Sequence, residues 1–169
     1  MNEIFQALRK GEKSYPHWSE DPDAWIGKGY YFWDSTINLA HWWGQIRFNG
    51  KYNICKSTFD CNGGDFFDLV GNSVHRGIFI AVKNALQARA KTLGEKVRVV
   101  DVINYLKKDP DFKFSSKFKA IRVYPQKSRM DFEQTAFAEK LDAFYEDDPP
   151  IQLCVTDYSF FKSTPEIVY

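Results

Sequence analysis

The segment WIGKGYYFWDSTINLAHWWG, residues 25 to 44, sets Gly27 and Gly29 beside Tyr31 and, one element later, Trp42. Two missing Cβ atoms at the start of a strand let a ligand or a second backbone approach the peptide groups closely. Side chains alternate along a strand, so Tyr31 projects on the face opposite Tyr30 and Phe32. A tight turn into a helix brings Trp42 back over that face. Two rings around a gap would grip a flat heteroaromatic group, each stack contributing about 0.5–1.5 kcal/mol beyond the area it buries. The same residues would equally serve as the opening of a strand and part of an aromatic core.

Other chemistries lack their residues. There is no G-x-x-x-x-G-K-[ST], no G-x-S-x-G and no histidine pair at metal spacing, so no metal site is expected. The GKG run leads into a strand, whereas a phosphate loop opens a helix. Cys55 and Cys61 are six apart with His75 downstream, looser than zinc pairs, and read as small buried residues. Cys154 sits mid-strand among apolar neighbours, poorly placed for a nucleophile. Three cysteines are too few and too odd for a disulfide framework, which points to a reducing, cytoplasmic compartment.

These residues need a scaffold. A chain of 169 residues suits a single domain spanning 1–169 with room for a real core. Its 23 basic and 22 acidic side chains leave a net charge of +1, which gives no strong nucleic-acid or anionic-membrane signal. No apolar run approaches the roughly 20 residues of a membrane span, and MNEIFQALRKGEKS has no export signature. Aromatic residues reach 17% of the chain, with 15 Phe, 9 Tyr and 5 Trp, enough to fill a core and line a pocket as well.

Ile4, Phe5 and Leu8, followed by Gly11, predict a helix over 2–10. The run from Gly29 predicts a strand, with Asp34-Ser35 as N-cap of a helix over 36–47 whose Leu39, Trp42, Trp43 and Ile46 face the interior or a pocket wall. A strand is expected at 51–59, then a turn-rich link. A helix over 73–93 follows, capped by Ser73, closed by Gly94 and turning Ile78, Val82, Ala85 and Leu86 inward. The stretch over 99–107 fits strand and helix alike by periodicity and is assigned as a helix stopped before Asp109-Pro110; a strand over 117–124, a helix over 132–145 through Phe137, Leu141 and Phe144, and a strand over 151–157 complete the pattern. Helices and strands mix without a βαβ rhythm, so the fold class is α+β with a mixed sheet and flanking helices.

The run GKGYYFWDSTINLAHWW resembles the G-x-G-x-Y-F…S…A segment of ADP-ribosyltransferases of the poly-ADP-ribose polymerase type. It is similar also to small bacterial and phage proteins of that fold, with W-L-G-x-G-x-Y-F-W-E followed by A-x-x-W-A. The likeness extends weakly through DVINYL, KAIRVY and IQLCVTD. It implies an ADP-ribosyltransferase-like core that uses NAD as substrate and releases nicotinamide, with a protein or nucleic-acid acceptor. Tyr31 and Trp42 would sandwich the nicotinamide, and Gly29 and Ser35 would complete the cofactor contacts. A late-strand glutamate stabilises the cationic ribose in active members; the matching position here is Gln152, an amide that cannot offset positive charge, with Glu146 and Asp148 just upstream. Family members also open with a strand carrying a histidine, whereas this sequence opens with a helical pattern, and His17 comes too late to match. These two departures motivate the alternative of a non-catalytic member that binds NAD, ADP-ribose or a protein partner.

Overall fold

The structure is a computed structural model that describes residues 1–11, 16–22, 24–34, 36–124, 134–136, 144–146 and 149–169, with the backbone alone for 134–136 and 144–146. In chain order the elements are β1 (Asn2–Arg9), β2 (Trp18–Ser19), β3 (Gly29–Asp34), α1 (Ile37–Phe48), β4 (Tyr52–Phe59), β5 (Phe66–Asp68), α2 (Ser73–Leu93), α3 (Val99–Lys108), α4 (Phe114–Lys117), β6 (Ala120–Val123), β7 (Gln134–Ala136), β8 (Phe144–Glu146), β9 (Gln152–Val155) and β10 (Glu166–Ile167). Helices and a mixed sheet make this an α+β chain.

The expected helix over 2–10 is a strand. Ile4 to Leu8 are buried without interruption, Gln6 included. β1 pairs with β4 along its whole length, from Asn2↔Phe59 to Arg9↔Tyr52, and with β3 at Ile4↔Asp34 and Phe5↔Trp33. A strand with neighbours on both sides and cover on both faces shows a continuous apolar run in place of alternation, and in eight residues that run imitates helical spacing.

The large sheet runs β10-β4-β1-β3-β9-β6-β5, with β2 added beside β3. Among the described residues β5 and β6 are the parallel pair, and α2, α3 and α4 form the crossover that a parallel pair requires. The register aligns Phe67, Ile121, Cys154, Tyr31, Trp33, Phe5 and Ala7 on one face. On that face α1 covers one half through Leu39 and Ala40, while Val102, Ile103 and Leu106 of α3 and Phe114 of α4 cover the other. The opposite face buries Ile4, Phe32, Phe59, Phe66, Leu153 and Val155 in one cluster with Phe160.

Several expected boundaries shift. The cap of α1 falls on Thr36, Asp34 belongs to β3, and Ile46 is exposed. The cap of α2 is Asn72, whose side chain accepts from the Val74 and His75 N–H groups; Ala85 is exposed, while Ile78, Val82 and Leu86 pack on the core. Where a helix was expected over 132–145, the described stretches are β7 and β8, an antiparallel pair with Gln134 opposite Glu146. Phe137 and Leu141 lie outside the described residues. No helix among the described residues is long and apolar enough to cross a membrane.

His75, on the first turn of α2, stacks on Phe67 at 4.9 Å and accepts the Asp68 N–H at Nδ1, 3.0 Å away. Burial lowers its pKa, with Lys117 acting in the same direction and Asp68 opposing. The neutral ring is therefore the folded form. A depressed folded value means the contribution is full above the ordinary histidine value near 6.5 and is lost as pH falls below it. Thermal midpoints measured from pH 7.5 to 5 should fall, and His75→Gln should remove part of that slope; an unchanged slope in the variant contradicts this role.

Candidate functional site

β1 and β3 pair only at their first contacts and then part. Past Phe5 the neighbour of β3 becomes β2, through Trp18↔Tyr30 and Ser19↔Gly29. Gln6 bridges the split. Its Nε2 donates to the Tyr31 carbonyl at 2.8 Å and to the His17 carbonyl at 3.1 Å, while its Oε1 accepts the His17 N–H at 2.7 Å. A carboxamide satisfies both kinds of backbone group in one place, which an apolar side chain at this position would leave orphaned.

A cavity of about 530 Å3 opens at the split. Tyr31 and Trp33 of β3, Trp43 of α1 and Trp25 of the preceding connection supply rings, and Gln6, His17, Glu20, Asp21 and Gln152 supply polar groups. Trp25 is tied across it, its Nε1–H donating to Gln152 Oε1 at 2.7 Å. Part of the Gln152 carbonyl's accepting capacity is thereby occupied, and its amide N–H groups remain as donors.

Tyr31 lines the cavity with its hydroxyl committed to the chain. It donates to the Gly27 carbonyl at 2.6 Å and accepts the Ile26 N–H at 3.2 Å, pinning the 24–27 turn to the sheet. Burial, with Cys154 beside it, raises the phenol well above its ordinary value, so the hydroxyl stays neutral and serves as donor and acceptor together. Burial pushes the Cys154 thiol up to about 12, which keeps it protonated. Tyr31→Phe should leave the Ile26 N–H and Gly27 carbonyl without this partner and destabilise the protein by roughly 1–3 kcal/mol. Thermal denaturation checks this, and a midpoint equal to the parent's contradicts it.

The remaining residues singled out in the sequence fall in different places. Gly29 is a close-approach position toward the neighbouring strand: an added Cβ would lie 2.5 Å from Cys154 Sγ and 2.8 Å from the Val155 carbonyl oxygen. Trp42 is outside the cavity lining; it packs edge-on to Trp33 at 6.3 Å, and the next residue, Trp43, turns to the cavity and is 38% exposed. One step of about 100° along the helix separates the two roles. The backbone of Glu146 lies in β8, and its side chain, like Ser35 and Asp148, is outside the described residues.

Asp34 lies on the face opposite Tyr31 and pairs with Arg122 of β6, Nη2 to Oδ2 at 2.6 Å, while Arg122 Nη1 is 3.7 Å from Asp68. The Asp34 side chain is 1% exposed, so this acid of the YYFWD run is a buried ion-pair partner and is not part of the cavity lining. Among the described residues no three His, Cys, Asp or Glu side chains gather as a metal ion would require. No known protein family, curated protein or solved structure matches the chain.

Gln6, Trp25, Glu20, Asp21 and Trp43 were not singled out as site residues in the sequence. One signal was available: a lone Gln inside an otherwise apolar run marks a polar side chain that burial forces into hydrogen bonds.

Proposed function

We propose that the chain binds NAD through its nicotinamide ring in the cavity at the β1–β3 split and transfers ADP-ribose to a macromolecular acceptor, releasing nicotinamide. The observation that carries this reading is the wall of Tyr31, Trp25, Trp33 and Trp43 beside Gln6 and Gln152. Such a wall suits a flat ring bearing an amide, which needs stacking surface on its faces and a few placed donors and acceptors at its edge. β1 supports the reading as well, since the resemblance calls for an opening strand, although β1 lacks the histidine that strand carries. Gln6 occupies that strand, with its carboxamide turned to the backbone of Tyr31 and His17.

Departure of nicotinamide leaves positive charge on the ribose, and a carboxylate must offset it. Glu20 and Asp21 line the cavity and are the acids available there among the described residues. Gln152, held by Trp25, provides hydrogen bonds and no charge. That bond favours a second reading, in which NAD or ADP-ribose is bound and left intact.

Tryptophan fluorescence tests the ring site. Nicotinamide and NAD should quench emission saturably, and Trp43→Ala should weaken both by roughly twofold to tenfold, the worth of one stack. Absence of any saturable quenching would return the rings to a purely structural role.

A further inference from the structure

The aromatic cavity adjoins a second depression of about 380 Å3, lined by Arg9, Lys10, Arg47, Phe48, Asn49 and Lys51. Arg9, Arg47 and Phe48 border both. The backbone holds this gathering in place. The Lys10 N–H donates to the Lys51 carbonyl at 2.9 Å and the Lys51 N–H to the Phe48 carbonyl at 2.9 Å, so the end of β1, the last turn of α1 and the start of β4 meet here. Asn49 and Gly50, both at positive φ, turn the chain sharply enough to bring Lys51 back beside Arg47.

Arg9, Lys10, Arg47 and Lys51 are exposed, and none of them forms an ion pair among the described residues. By contrast Lys56, Arg98, Lys119 and Arg122 each face an acid. The C-terminal end of α1 contributes roughly half a negative charge at this point, far less than four cations. A chain whose net charge is only +1 thus gathers four cations, without an ion-pair partner among the described residues, at the mouth of a cavity whose own lining carries Glu20 and Asp21. Like charges held together raise the local potential and attract an anion.

We infer that this depression is a diphosphate subsite, joined to the aromatic cavity into one site for a ligand with a flat ring at one end and a diphosphate beyond it. Two guanidinium forks match phosphate oxygens in pairs, and two ammonium groups add charge without fixed geometry. A nucleic-acid backbone would call for a basic stripe over an extended surface, and the balanced charge of the chain supplies none. The ring end of this assignment rests on the proposed nucleotide reading; the phosphate end rests on its own four residues.

Calorimetric titration at low salt with inorganic pyrophosphate, nicotinamide, ADP-ribose and a short single-stranded DNA separates the parts. Pyrophosphate and ADP-ribose should bind, with Lys10→Gln and Lys51→Gln, whose side chains border the basic depression and not the aromatic cavity, each weakening them roughly tenfold and leaving nicotinamide affinity and the thermal midpoint unchanged. Pyrophosphate binding without nicotinamide binding would support the subsite while overturning the nicotinamide reading. Pyrophosphate and ADP-ribose affinities indifferent to both variants, or no binding of either, would overturn the subsite. DNA bound more tightly than ADP-ribose and weakened equally by the variants would overturn it in favour of a nucleic-acid surface.

Discussion

Arg122→Met is expected to destabilise the protein by about 3–5 kcal/mol, the cost of leaving a buried charge without its partner. Asp34 is the acid that suffers, its side chain 1% exposed and within 2.6 Å of the guanidinium, and Asp68 loses the same cation at 3.7 Å. The substitution keeps most of the side-chain volume, so a cavity term is minor. For a chain of this length each kcal/mol lowers the thermal midpoint by roughly 2–4 °C, so a fall on the order of 10 °C should be seen by scanning calorimetry. Asp34→Leu combined with Arg122→Met should recover part of the loss, because an apolar pair avoids the desolvation penalty of the charged one. A single variant as stable as the parent would show that the pair is solvated.

Gly29→Ala should be nearly as damaging, at about 3 kcal/mol, the upper part of the range for overpacking. The new Cβ would fall 2.8 Å from the Val155 carbonyl oxygen and 2.5 Å from Cys154 Sγ, and a central strand cannot retreat without disturbing its neighbours. Gly77→Ala makes the comparison clean. Nothing lies within 4 Å of its added Cβ and it sits inside α2, where alanine is favoured over glycine by about 1 kcal/mol. Chemical denaturation should therefore move the two variants in opposite directions, and a neutral Gly29→Ala would refute the packing account of that glycine.

What the sequence disclosed depended on how far each signal was local. β3, α1, β4, α2, β6 and β9 each declared themselves through a local run closed by nearby stop residues, and their ends moved by few positions, whereas the periodicity of α3 fitted strand and helix alike. β1 was misread because its burial comes from strands and helices distant in sequence, which fill both faces and erase alternation. The same misreading concealed Gln6 and with it the split that shapes the cavity. Trp42 and Trp43 were both visible as a helix face, yet which of the two turns outward depends on how α1 sits on Trp33. Asp34 was expected at a helix cap; its place in β3 and its pairing with Arg122, 88 residues further on by subtraction of the two positions, follow only from the closed sheet. The basic depression was illegible for a similar reason, as Arg9, Arg47 and Lys51 meet only when β1, α1 and β4 close.

Binding and cleavage of NAD in the cavity at the β1–β3 split are proposals open to direct test. A proton NMR time course of NAD with the purified protein tests them most directly, because one sample reports ligand contact by saturation transfer and cleavage by free nicotinamide. Nicotinamide resonances are expected to grow with time and to vanish in Tyr31→Ala, whose ring no longer lines the cavity. Intact NAD with neither saturation transfer nor nicotinamide at high protein concentration would contradict them.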